Sequence, residues 1–211
     1  MTLADFKGVA HGALEPVVEV CERHGMQPNQ ITAISLGLSA LAAYLFYLAT
    51  PVAYIGAAVV VVVSGLLDVV DGELARKTGE STPAGDFLDH AFDRFSDVII
   101  VVGVTAGVNQ WMLGTFALTG VILTSYLGTQ AQAVGAGRDY GGLMGRSDRF
   151  AIVILGAVVQ AFVPVLTQSF QVGGATVPEL SPVSWVLIVY AVLGNLTALQ
   201  RFFTTWNNLG E

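Results

Sequence analysis

Hydrophobic residues in this chain fall into about six long runs separated by short polar breaks, and the runs use nearly its whole length. They cover residues 31–48, 51–77, 85–108, 111–134, 149–166 and 182–203. Each is long enough to cross ~30 Å of hydrocarbon as a helix. The pattern predicts an all-α, polytopic bundle of six membrane spans. Ahead of it, Phe6, Val9, Ala10, Leu14, Val17, Val18 and Cys21 recur near helical period, while Asp5, Lys7, Glu15, Glu19, Glu22 and Arg23 fall largely elsewhere. Residues 1–25 therefore predict an amphipathic surface helix, resting either on lipid or on the bundle. Gly25 closes it and Pro28-Asn29 opens the first span. Without internal repeats or low-complexity tracts, residues 1–211 read as one domain.

Composition strengthens the membrane reading. The chain is 54% hydrophobic and 12% charged, with a mean hydropathy of +0.66, against roughly 25% charged residues in a soluble domain. The start has no basic segment leading into a short apolar core, so no cleavable leader is expected. A single cysteine, Cys21, excludes an internal disulfide and reads as a small apolar residue on a helix face. The net charge of −7 and the lack of a basic patch argue against nucleic acid as a partner.

The nine basic residues set the expected orientation. Lys7, Arg23, Arg76, Lys77, Arg138, Arg146, Arg149 and Arg201 lie on one side of the six-span pattern and Arg94 inside span three, while the opposite loops near residues 49–51, 108–110 and 169–180 contain none. By the positive-inside rule both termini and residues 68–93 face the cytoplasm of a cell membrane.

Residues 68–93 carry the chemistry. Asp68 and Asp71 at i,i+3 end one helix, and Asp89 and Asp93 at i,i+4 begin the next, so each pair shares a helix face. Four carboxylates together repel unless a cation joins them. Oxygen ligands without a His or Cys cluster favour Mg²⁺, Ca²⁺ or Mn²⁺, and Mg²⁺ usually bridges carboxylates to a substrate's phosphates. Gly72 and Gly85 admit close backbone approach, and Arg76 offers a planar fork for phosphate. Asp97 extends the acidic face, Asp86 is expected to cap span three, and His90 reads as a neighbour of the site. His11 and His24 read as surface residues. Helix-packing ion pairs are the alternative for the acids, although only Arg94 is nearby to pair with them. An ion or proton transporter would also bury carboxylates, but with repeats and acids at mid-membrane.

Asp68, Asp71, Gly72, Ala75, Arg76, Gly85, Asp89 and Asp93 fit D-x2-D-G-x2-A-R-x8-G-x3-D-x3-D without a mismatch, and so resemble the CDP-alcohol phosphotransferases. Pro28-Asn29 and the NLTALQR run ending at Arg201 resemble family features as well. The resemblance implies transfer of a lipid phosphate from a CDP-linked lipid to an alcohol, with release of CMP. It implies that Asp68, Asp71, Asp89 and Asp93 hold Mg²⁺ or Mn²⁺, as two ions, with Asp93 also the general base. It further implies that Asp68, Asp71, Gly72, Ala75, Arg76 and Gly85 bind the cytidine diphosphate, and that the protein is a homodimer among membrane lipids.

Arg138, Arg146 and Arg149 read either as a pocket for a phosphorylated acceptor or as an ordinary positive-inside loop. The GRSDR run resembles members that use inositol phosphate; glycerol phosphate is the other phosphorylated polyol, and serine an unphosphorylated alternative. Gln130 and Gln132 stand where a basic residue is expected in the inositol-phosphate subgroup. The acidic composition, with no bacterial subgroup features, points to an archaeal donor such as CDP-archaeol beside CDP-diacylglycerol.

Overall fold

Three helices of this protein begin on a hydroxyl side chain followed by proline, in a computed structural model that describes residues 14–137, 139, 141–172, 175–177 and 179–210. Thr50, Thr82 and Ser181 accept the backbone N–H of Ala53, Gly85 and Ser184 at 3.3, 3.1 and 3.2 Å. The proline that follows sits where no N–H is required. These caps start α3 (Pro51–Thr78), α4 (Pro83–Val108) and α7 (Pro182–Val189). The cap of α4 is therefore Thr82, and the expectation that Asp86 caps this helix is corrected: Asp86 lies in its first turn.

Helix α1 covers residues 14–23, α2 runs Pro28–Leu48, α5 Trp111–Ala133 and α6 Arg146–Phe162. After α7, a π-helical turn (Tyr190–Gly194) leads without a break into α8 (Asn195–Gly210). Between α6 and α7 lies a small antiparallel hairpin, β1 (Phe170–Val172) with β2 (Ala175–Val177), which the hydropathy pattern did not foresee. Among the described residues the regular structure is otherwise helical, apart from one antiparallel bridge between Thr167 and Leu180. By length and composition four helices can cross a membrane: Pro28–Leu48, Pro51–Thr78, Trp111–Ala133 and Pro182–Gly210. Helix α4 carries Asp86, Asp89, Asp93, Arg94 and Asp97 ahead of its apolar part, and α6 has 17 residues. Helix α6 also starts a turn earlier than expected, so Arg146 and Arg149 belong to a helix rather than a loop.

The core joins Phe46 and Tyr54 to Val61, Val104, Val121, Val153, Leu187 and Tyr190. The described part of α1 packs one face on the bundle, while Val17 and Val20 of the same helix are exposed. Val18 and Cys21 pack with Ile31, Val70 and Leu74 of the bundle, and Lys77 bonds Glu22 at 2.7 Å.

Small residues set how closely the helices approach. Ser35 and Ser39 of α2 meet the Ser64 hydroxyl of α3 at 2.9 and 3.1 Å, one turn from Asp68. Gly103 and Gly107 of α4 lie on the α2 backbone at Ala43 and Phe46, where a methyl group would collide with main-chain atoms. In a bilayer, where lipid is as apolar as the helix faces, such close packing carries much of the association. Gly107→Ala is expected to cost about 1–3 kcal/mol and to lower the apparent Tm in detergent. Gly37→Ala, which faces open space, should leave the Tm unchanged or slightly raised.

Candidate active site

The last turns of α3 and the first turns of α4 bring the four aspartates together. One carboxylate oxygen each from Asp68, Asp71 and Asp89 lie within 4.8 Å of one another, and a second group of the same spread joins Asp89, His90 and Asp93. Asp89 belongs to both groups, so the acids form two adjoining sets rather than one, the first of oxygens alone and the second with a histidine nitrogen. His90, expected only as a neighbour, has a ring nitrogen in the second group and lies 3.4 Å from Asp86. Asp71 and Asp93 are buried. Thr32 of α2 donates to Asp71 Oδ2 at 2.7 Å and fixes that carboxylate's orientation.

Beside the acids lies a cavity of about 360 Å³ between the start of α2, the end of α3 and the start of α4. Gly72, Ala75, Arg76 and Gly85 all line it, with Asp71 and Asp89 at its inner end. A Cβ on Gly85 would stand 3.6 Å from Asn29 Oδ1, and one on Gly72 3.6 Å from the Arg76 guanidinium, so both glycines keep the cavity open. Arg76 is paired with Glu73. Asn29, Thr32, Glu80, Ser81 and Thr82 also line it. Thr32 escaped the sequence reading, although it lies one helical turn after Pro28 and therefore on the same face.

The arginines behave differently from one another. Arg146 reaches across the acids: its guanidinium donates to Asp68 Oδ2 at 2.7 Å and Oδ1 at 3.3 Å, and bonds Asp93 Oδ1 at 2.6 Å. Arg149 is buried and points beneath the site, donating to Asp97 Oδ2 at 2.8 Å. Arg94 bonds the same oxygen at 3.4 Å, Asp93 at 3.5 Å, and the Ser125 hydroxyl. Asp97 is thus the counter-ion of two arginines, and Tyr190 donates from across the bundle to the Arg149 carbonyl. Arg138 lies outside the described residues, and Gln130 and Gln132 sit at the end of α5.

Two arginines in the first turns of α6 oppose the helix dipole, which favours anions there. Asp68, Asp93 and Asp97 offset that cost, and the loop before α6 is held from the far side. Met144 and Leu143 donate from their backbone to Thr197 and Gln200 of α8 at 3.1 and 3.2 Å. Arg201 donates to the carbonyls of Gly141 and Thr124 at 2.8 and 2.7 Å. The NLTALQR run thereby positions the segment that delivers Arg146.

Residues 26–206 match the CDP-alcohol phosphatidyltransferase family. The chain is 32% identical over 178 residues to archaetidylinositol phosphate synthase of Pyrococcus horikoshii, covering 84% of this chain and 89% of that one. It is 31% identical over 203 residues to phosphatidylinositol phosphate synthase of Mycobacterium marinum, with 92% and 80% covered. The solved structure of Mycobacterium tuberculosis phosphatidylinositol phosphate synthase with CDP-DAG bound resembles it at TM-score 0.74 and 29% identity, over 90% of this chain and 92% of the other. The same enzyme in complex with manganese and citrate gives TM-score 0.75 and 28% identity, over 90% and 88%.

Removing one member of a buried ion pair strands the other charge at a cost of about 3–5 kcal/mol. Arg149→Met is therefore expected to lower the apparent Tm sharply in detergent. Adding Asp97→Leu should recover only part of the loss, because the carboxylate left by Arg149 goes with it while Arg94 loses one of its two acidic partners and keeps Asp93.

Proposed function

The chain belongs to the CDP-alcohol phosphatidyltransferase family, and on that premise we propose that it transfers the phosphate-bearing lipid of a CDP-linked lipid to a phosphorylated polyol, inositol phosphate first, and releases CMP. The observation that carries the reading is the meeting of all eight motif residues at one place, a carboxylate cluster opening onto a cavity of about 360 Å³. That volume lies in the range of small-ligand sites, and Gly72, Ala75, Arg76 and Gly85 line it for the cytidine diphosphate.

The acids suit divalent cations. All four aspartates offer hard oxygen, in two adjoining sets of which the second also holds a His90 ring nitrogen, and a guanidinium already bridges Asp68 and Asp93 as a positive charge. Asp68, Asp71, Asp89 and Asp93 would hold two ions, Mg²⁺ or Mn²⁺; the manganese in the Mycobacterium tuberculosis structure supports this. Such ions supply neutralisation of the diphosphate and of the departing CMP.

The protein's own groups do the rest. Asp93, buried at the junction of the acids and Arg146, accepts the acceptor hydroxyl's proton as that oxygen attacks the lipid-side phosphorus. The bond from this phosphorus to the CMP oxygen breaks, and CMP leaves with the electron pair. Arg146 is the arginine placed to meet an acceptor phosphate, and Arg149, held by Asp97, positions the same helix end. Arg138 belongs to the proposed acceptor pocket by sequence. The distribution of Lys and Arg supports a site facing the cytoplasm, and exposed apolar residues such as Val52 and Leu155 are compatible with a homodimer in the cell membrane.

The test is CMP release by the purified protein in detergent with Mg²⁺ or Mn²⁺. CDP-archaeol and CDP-diacylglycerol serve as donors, and inositol phosphate, glycerol phosphate and serine as acceptors. Release is expected with inositol phosphate, lost on chelation and restored by either metal. Asp93→Asn should lower kcat by about 10²–10⁴, and Arg146→Ala should raise the KM of the phosphorylated acceptor about tenfold or more. No CMP with any acceptor overturns the reaction, and serine as the sole working acceptor overturns the acceptor class.

A further inference from the structure

Arg146 comes from outside the acidic motif, yet it occupies oxygens that the motif provides. Its fork takes both oxygens of Asp68 and one of Asp93. The engagement is deep, since Asp93 is 7% exposed. The Nε of Arg146 is buried with no hydrogen-bond partner among the described residues, so the side chain gives up one donor to keep the other two on the acids. Phe150, one turn further along α6, lies with its ring 5.0 Å from the guanidinium carbon and supports the pose.

This position conflicts with the metal reading. Asp68 belongs to the first oxygen set and Asp93 to the second, so the fork draws on both at once. A carboxylate whose two oxygens are held by a guanidinium has no oxygen left at full strength for a cation. A guanidinium and a dication on the same carboxylate also repel. We propose that Arg146 is an exchangeable internal cation: it closes Asp68 and Asp93 in the metal-free protein, and divalent ions displace it, which frees its fork for the anionic group of the acceptor. The inference rests on the metal and acceptor roles proposed above and adds an order to them, metal first and anion second. Held on the acids, Arg146 also keeps an anion from entering beside bare carboxylates.

The test uses the purified full chain in detergent without any CDP-lipid. Binding of Mn²⁺, read by electron paramagnetic resonance, is expected to tighten in Arg146→Gln on the order of tenfold, the equivalent of one charge-assisted hydrogen bond no longer competing. Arg146→Lys, which keeps the charge without the fork, should fall between. In the wild-type chain, modification of Arg146 by phenylglyoxal, followed by peptide mass spectrometry, should be slow without metal and faster with saturating Mn²⁺. Inorganic phosphate should slow it again only when Mn²⁺ is present. Equal or weaker Mn²⁺ binding by Arg146→Gln overturns the proposal, as does modification that Mn²⁺ leaves unchanged or slows. Neither readout needs turnover, so an inactive preparation still tests the exchange, and loss of the exchange leaves the CMP assay to stand or fall separately.

Discussion

Like charge held at short range is the constraint on which this structure depends. Carboxylate oxygens within 4.8 Å of one another repel by roughly 3–4 kcal/mol per ionised pair at an effective dielectric of about 20. No apolar packing between α3 and α4 relieves that directly. The protein answers with positive charge from a third helix, and Arg146 bridges the two helices whose acids would otherwise drive them apart. Once that bridge is required, α6 must begin next to the acids, and its arginines must sit at the helix end where the dipole disfavours them.

The rest of the bundle holds this arrangement in place. The serine cluster of α2 and α3 and the glycine contacts between α4 and α2 fix the distances between helices that carry the aspartates. Beneath the site, Asp97 gathers Arg149 and Arg94 into a buried ionic layer, with Tyr190 tied to the backbone of α6. The site thus has two tiers, an upper one of four acids with one arginine and a lower one of one acid with two.

Much of this was legible in the sequence because it is local. Hydrophobic runs, four of which lie in helices long and apolar enough to span, and acids at i,i+3 and i,i+4 each act within a few residues, and the eight motif positions lie together around the carboxylates and the adjoining cavity. The misjudged features depend on partners far away in the chain. Arg146 and Asp68 are 78 positions apart, and nothing near either one tells that they meet. Asp97 looked like an extension of the acidic face until Arg149 arrived from α6. Thr82 displaced Asp86 as the cap because Pro83 fixes where α4 begins. The π turn escaped because apolar residues keep the same spacing through it, while its i→i+5 bonds turn the following face relative to the preceding one. The hairpin of β1 and β2 lies in a loop too short and mixed in pattern to announce itself.

The clamp of α8 on the loop before α6 has a consequence for how the protein is made. The ribosome delivers the chain from its N-terminus at about 5–20 residues per second, so the acids of α3 and α4 are synthesised well before Thr197, Gln200 and Arg201 exist. During that interval the loop before α6 lacks its bonds to α8, and Arg146 is placed only by its own helix and the acids it meets. The cavity and carboxylates built by α2, α3 and α4 are therefore made first. The part that Arg146 completes takes its described position only once α8 has docked on the loop before α6.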